Sequence, residues 1–395
     1  MLAKLYRNKI LDLKNINVLL LALFGFTMPF SRVLNVSAIL MVLALFTSFI
    51  LWSKTKKKYR FKTNSLLSMI VFFLVVAISL IYSEDIKIGM KEIVKLTPFI
   101  MFPIIYILNS NIKTKQLNTI LNFYVIGTIL AVLYCFVVAI IFFEDYPLAL
   151  SNGFSYFTKP LKFHPSYFAI YIIFAFSIYV YYYNSAVQKQ KYTFGAVWII
   201  TLLLIVFLKS RAPLIAFMLI TVVIIFRKAK WRVLILATIF IILFIYRHDV
   251  LVLISGNRTI DVTIDERFNI WINSIEVIKN NLLLGVGIGD SQIYIDRQYY
   301  IGGFGKGILH RYNSHNQFLQ TLVSNGLFGF LSLIVVFIAV LVKSIKEKSL
   351  LLVNFIICTV ILMLFDSVLI LQHGVYFFTF FTALFLSTNI EKNEN

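Results

Sequence analysis

Long apolar runs separated by short polar ones fill most of this chain. A bilayer core about 30 Å thick needs roughly 17–25 mostly apolar residues in a helix. Runs at 16–31, 33–52, 65–82, 93–108, 118–143, 165–183, 193–208, 213–226, 233–246, 317–342, 350–371 and 374–388 therefore predict about twelve transmembrane helices. The fold class expected is all-α, a polytopic integral membrane protein. Runs 16–31 and 213–226 are short for a crossing, which suits a tilted, broken or re-entrant segment. One interruption is long and polar, from Arg247 to His315, and it divides the chain into 1–246, 247–315 and 316–395.

Within that interruption, Thr263-Ile264-Asp265-Glu266 reads as a capping box opening a helix over about 264–280. Phe268, Trp271, Ile275 and Ile278 recur at helical spacing and predict its apolar face, laid on the bundle or the lipid interface. Ser314-His315-Asn316-Gln317 reads as a second capping box, opening a helix that continues into 317–342 and making His315 its first residue. Gly285-Val286-Gly287-Ile288-Gly289 lacks the strand and helix that frame a phosphate-binding loop, so a tight turn back toward the membrane is expected.

Composition supports the membrane reading and excludes an ordinary soluble domain. The chain is 60% hydrophobic and 14% charged with mean hydropathy +0.88, against roughly 25% charged in soluble domains. Its net charge of +20 would suggest nucleic acid in a soluble protein. Here the cations cluster in short loops: Lys54 to Arg60, Lys113 and Lys115, Lys189 and Lys191, Arg227 to Arg232, and Lys343 to Lys348. Such a bias sets orientation, so no nucleic-acid partner is expected, both termini are expected to be cytoplasmic, and 247–315 extracytoplasmic. No small-residue cleavage site follows the first apolar run, so that run is expected to remain as an anchor. Cys135 and Cys358 lie inside apolar runs and suggest no disulfide framework.

The outer loop is the exception to this charge rule, and its arginines ask for an anionic partner. Arg267 falls in the first turn of the 264–280 helix, where the dipole disfavours a cation. An ion pair with Asp265 or Glu266 and a functional role both remain open. Lys209-Ser210-Arg211-Ala212-Pro213 places Lys209 and Arg211 at an outer turn, where snorkelling is the alternative. A helix N-terminus keeps His315 neutral, as a general base requires. His310 and His315 are five apart with no carboxylate cluster, so no metal site and no cofactor are expected. Two guanidiniums suit phosphate oxygens. With the imidazole they fit displacement of a lipid pyrophosphate by a sugar hydroxyl.

These pieces resemble the O-antigen ligase and polymerase superfamily of bacterial envelope glycan enzymes. The resemblance rests on Ser210-Arg211-Ala212, Glu266-Arg267-Phe268-Asn269-Ile270-Trp271, the glycine stretch 285–289, His315-Asn316-Gln317-Phe318-Leu319-Gln320, Asn325-Gly326-Leu327-Phe328-Gly329 and His164-Pro165-Ser166-Tyr167-Phe168-Ala169. It implies metal-independent, inverting transfer from an undecaprenyl-pyrophosphate-linked glycan donor to a glycan or glycolipid acceptor, at the outer face of the inner (cytoplasmic) membrane. Arg211 and Arg267 would stabilise the pyrophosphate and His315 would activate the acceptor hydroxyl. Lys209, His164, Arg311 and Asn316 are expected to bind substrate, with membrane lipid as the surroundings. The rival reading is a lipid-linked oligosaccharide flippase or other transporter. It calls for ionisable groups deep in the spans, for which Asp366 is the main candidate and pairing with a nearby cation the alternative.

Overall fold

A computed structural model describes residues 2–55, 64–109, 112–141, 157–183, 191–227 and 264–390. The longer helices are α1 (Leu2–Thr27), α2 (Val36–Thr55), α3 (Asn64–Ile78), α4 (Ile86–Leu96), α5 (Pro98–Leu108), α6 (Thr114–Ile141), α7 (Pro165–Tyr183), α8 (Lys191–Phe207) and α9 (Arg211–Arg227). They continue as α10 (Ile264–Asn280), α11 (Ser291–Ile301), α12 (Gly305–His310), α13 (Gln317–Glu347), α14 (Leu350–Phe365) and α15 (Gln372–Ser387). No strand occurs among the described residues. Lipid offers the backbone no hydrogen bonds, so apolar runs close theirs internally as helices.

Six stretches among the described residues are long and apolar enough to cross a membrane: Asp12–Leu34, Val36–Thr55, Ser65–Tyr82, Thr114–Ile141, Pro165–Tyr183 and Gln317–Glu347. Thr193–Phe207, Arg211–Ile225 and Leu350–Phe365 are apolar but shorter. The expected run 233–246 and the start of the polar interruption, with Thr263, lie outside the described residues. The single helix expected at 93–108 is two: α4 ends at Leu96 and α5 begins at Pro98. Proline cannot donate to the preceding turn and is suited to the first helical position. The 11 residues of α5 reach only about 16 Å, half a bilayer core. The run 350–371 likewise stops as a helix at Phe365, because Asp366 turns to extended backbone.

At the centre stands α15, buried at every residue from His373 to Leu386. A helix apolar all round is an interior helix. Its Phe381 meets Phe174 of α7 edge-on at 4.6 Å and Tyr124 of α6 at 4.9 Å. Such pairs contribute about 0.5–1.5 kcal/mol each beyond area burial. A polar knot joins α1, α2 and α5, where Asn17 donates to Ala44 O and Ser48 Oγ, both at 2.8 Å, and accepts from Asn109 Nδ2. Interhelical bonds of this kind hold helices together where lipid removes the hydrophobic drive.

The helix α13 is broken at Gly326, with φ 60° and ψ −158°. The segment 282–287 is inserted at the break: Val286 N–H donates to Val323 O at 2.8 Å, Gly287 N–H to Ser324 O at 2.9 Å, and Leu327 N–H to Leu282 O at 2.8 Å. The break thus leaves these carbonyls satisfied, which an apolar surrounding demands. The glycine stretch is therefore the expected turn. Gly289 N–H donates to Ser83 Oγ at 3.2 Å, and Asp290 accepts from the N–H groups of Glu84 and Asp85 at 2.7 and 2.8 Å. These bonds pin the turn to the junction between α3 and α4.

The apolar face expected for α10 on the bundle or the lipid interface divides between interior and surface. Ile270, Ser274, Val277 and Ile278 are buried, while Phe268 and Ile275 are exposed and Trp271 is half-buried. Two apolar stripes share this helix, and the pattern alone did not show which one meets α11 and the first turns of α13. Ile270, Val277, Val286, Ile295, Tyr299 and Val323 form the small core there.

Candidate active site

The site is built on the open C-terminus of α14. A helix end leaves its last carbonyls without partners, and here two distant side chains supply them. Asn316 Nδ2 donates to Leu364 O at 3.1 Å, and the Arg267 guanidinium donates to Phe365 O. A cation at this end also complements the helix dipole. Arg267 thereby crosses from the first turn of α10, which disfavours it, to a helix end that favours it. Glu266 instead accepts from Lys306 at 2.9 Å, and the side chain of Asp265 lies outside the described residues.

Asp366 follows at once. Its Oδ1 accepts from Ser367 N–H at 2.8 Å and lies 3.7 Å from His315 Nδ1. Burial pushes this carboxyl up, and the His315 imidazole, His164 and the Ser367 N–H outweigh burial and hold it below the ordinary carboxylate value. The span-end acid that the sequence left between ion pairing and transport is paired with an imidazole.

His315 does not open α13 as expected. Asn316 is the N-cap, with extended φ −158°, and its Oδ1 accepts from Phe318 and Leu319 N–H at 2.9 and 3.1 Å. A helix starts where its cap can reach the second and third N–H groups, and Asn316 does this where Ser314 does not. His315 precedes the cap with φ 40°, its N–H donating to Asn313 Oδ1 at 2.9 Å. Left-handed backbone at a non-glycine residue is a strained state that clusters at functional sites. The imidazole is thus oriented by the carboxylate facing Nδ1, which leaves Nε2 for another partner. Gln317 completes the junction by accepting from Leu369 N–H at 2.7 Å.

The remaining expected residues divide. His164 precedes Pro165 at the start of α7, is exposed, and feels the Asp366 charge. Ser210 Oγ donates to Ser166 Oγ at 2.7 Å, which brings the 209–211 turn beside His164. Arg211 opens α9, and α9 packs along α14. Arg211 therefore shares the end of the bundle that carries Asp366, while Lys209 is exposed in the turn at φ 43°. Arg311 is turned to α11, where its Nε lies 3.3 Å from Asp296 Oδ2. No three His, Cys, Asp or Glu side chains are grouped as metal ligands among the described residues.

Residues 196–334 match the family model described as O-antigen ligase. Over this segment the chain is similar to the O-antigen ligase family. No curated protein matches the chain closely enough to count as a relative. The matched segment includes Lys209, Arg211, Arg267, Arg311, His315 and Asn316, whereas His164 and Asp366 come from the flanking sequence. The carboxylate that faces His315 therefore lies outside the matched segment. Sequence reasoning did not put Asp366 in the site, although a lone acid between apolar runs is a functional candidate on that ground alone.

Proposed function

We propose that this O-antigen ligase-type protein transfers a glycan from a polyprenyl-pyrophosphate donor to a sugar hydroxyl at the outer face of the bacterial inner membrane. The observation that carries the proposal is the single junction holding His315, Asp366 and Arg267, with His315 Nδ1 3.7 Å from Asp366 Oδ1 and Arg267 on the neighbouring carbonyl. In the reaction, His315 Nε2 takes the proton from the acceptor hydroxyl. The oxygen forms a bond to the donor's anomeric carbon, and the bond from that carbon to the pyrophosphate oxygen breaks. Arg267, a guanidinium with several N–H donors in a planar fork, meets with Arg211 the charge growing on the leaving pyrophosphate. Asp366 stabilises the imidazolium that forms. His164, Lys209 and Asn316 border the same end of the bundle and serve the substrates. The charge bias of the loops supports cytoplasmic termini, which puts this end outside.

The test is turnover by purified protein in vesicles without an ion gradient, given a polyprenyl-pyrophosphate glycan and an acceptor glycan. Product and free polyprenyl pyrophosphate are expected from the wild type and neither from His315→Ala. Movement of intact donor across the bilayer with no product would establish the flippase reading instead. Against that reading, ionisable groups of the described spans lie at the helix ends.

A further inference from the structure

The turn seated in the α13 break has an outward side. Residues 282–288 read Leu-Leu-Leu-Gly-Val-Gly-Ile, an apolar island inside the polar interruption. Val286 is buried and Ile288 packs on the main core, whereas Leu282, Leu283 and Leu284 are 49, 60 and 54% exposed. The backbone of these leucines is nevertheless held on the protein. Leu282 O accepts from Leu327 N–H at 2.8 Å, Leu284 O from the Tyr82 hydroxyl at 2.6 Å, and Gly285 N–H donates to Asn281 O at 2.9 Å. A Cβ on Gly285 would meet Asn325 N and Gly326 N at 2.6 and 2.5 Å, so the turn lies backbone against backbone in the break.

The level at which the leucines stand follows from their partners. Tyr82 ends the stretch Ser65–Tyr82 and Leu327 lies within Gln317–Glu347, both long and apolar enough to cross a membrane. The two helices of these stretches, α3 and α13, pack together. Each carries an exposed apolar stripe at helical spacing: Leu74 and Ile78 on α3, continued by Ile81, and Phe328, Leu331 and Val335 on α13. No residue from Gln317 to Leu327 is exposed, so the α13 stripe begins at Phe328. The leucines are bonded to Tyr82 and Leu327, the immediate neighbours of Ile81 and Phe328, and therefore join the ends of two lipid-facing stripes. Exposed apolar surface of this kind marks a membrane or partner contact. Irregular backbone is tolerated at membrane depth where protein buries it, and the α13 break does this for 282–287.

We propose that Leu282, Leu283 and Leu284 form a finger that enters the acyl chains of the bilayer, so that the polar interruption is anchored in the membrane. The partner is the lipid itself, because the finger continues surfaces that already face lipid. Since α10 ends at Asn280, two residues before Leu282, the finger ties the helix that carries Arg267 to the bilayer. This goes beyond the glycan-transfer reading, and its test uses no glycan substrate.

The experiment places the full chain in vesicles containing a phospholipid with a photoactivatable diazirine in its acyl chain. After irradiation, peptide mass spectrometry is expected to find label on residues 282–284 of the unsubstituted protein. No label there would overturn the proposal. A nitroxide on Leu283→Cys gives a second reading, with Cys135 and Cys358 buried out of the reagent's reach. Oxygen, which dissolves preferentially in acyl chains, is expected to relax this label more than a water-soluble nickel chelate does. The reverse order would place the leucines in water and overturn the proposal. Spin–spin broadening that vanishes on dilution with unlabelled protein would assign them to a second copy of the chain and overturn it equally. Should Leu283→Cys not fold, the photolabelling decides, since it needs no substitution.

Discussion

Asn316 and Leu364 join two helix ends through one side chain. The Asn316 Oδ1 caps the start of α13, and its Nδ2 closes on the Leu364 carbonyl at the end of α14, 3.1 Å away. The cap and the bridge are separable by mutation. Asn316→Ser keeps a capping oxygen and loses the bridge, so thermal stability is expected to hold while turnover falls about tenfold. Asn316→Ala loses both and is expected to cost about a further 1 kcal/mol of stability. Melting curves and turnover measured on the same preparations check the separation.

Arg267 faces a comparable division. It donates to Phe365 O and, in the proposed reaction, to the pyrophosphate. Lysine presents a compact ammonium on a flexible stem and lacks the guanidinium fork. Arg267→Lys is therefore expected to lower kcat/KM for the donor by about a hundredfold, and Arg267→Ala to abolish turnover, with both proteins still in the membrane. Wild-type rates in Arg267→Ala would remove the residue from the site.

The depressed value of Asp366 fixes a pH dependence. The carboxylate stabilises the folded state above its ordinary value of 3.8, and that contribution is lost as pH falls through the lower folded value. Asp366→Asn is therefore expected to be less stable than wild type above about pH 4 and to show a flatter acid limb below it. Melting temperature against pH, measured in detergent, gives both limbs.

Gly326 tests the break in α13. A Cβ there would lie 2.4 Å from Leu283 O, and φ 60° with ψ −158° is a region open essentially to glycine alone. Gly326→Ala is expected to destabilise by about 1–3 kcal/mol from backbone strain, with the clash added. Lowered yield of monodisperse protein, with activity lost in proportion, is the expected readout.

Much of this was legible in the chain. The run of apolar residues from Leu350 predicted α14 because lipid leaves such a run no alternative to a helix. Arg211, Arg267 and His315 stood out as cations at an outer turn and in a first helical turn and an imidazole at a helix start, although ion pairing and snorkelling stood beside the functional reading of the two arginines. Which α10 residues meet the bundle was not legible, because Phe268 and Ile270 each belong to an apolar stripe at helical spacing, and only contact with Tyr299 and Val323 selects one.

What the sequence determined by itself was the helical, membrane-bound character and the residue types suited to an anionic substrate, since both follow from local composition and period. The tertiary structure alone decided that His315 stands outside its helix in left-handed backbone, that Asp366 is its partner across 51 positions, and that Arg267 closes the carbonyl next to that acid. The reason is that a helix fixes neighbours three and four residues away, whereas the partner of an open helix end is chosen by whichever distant side chain the packing brings to it.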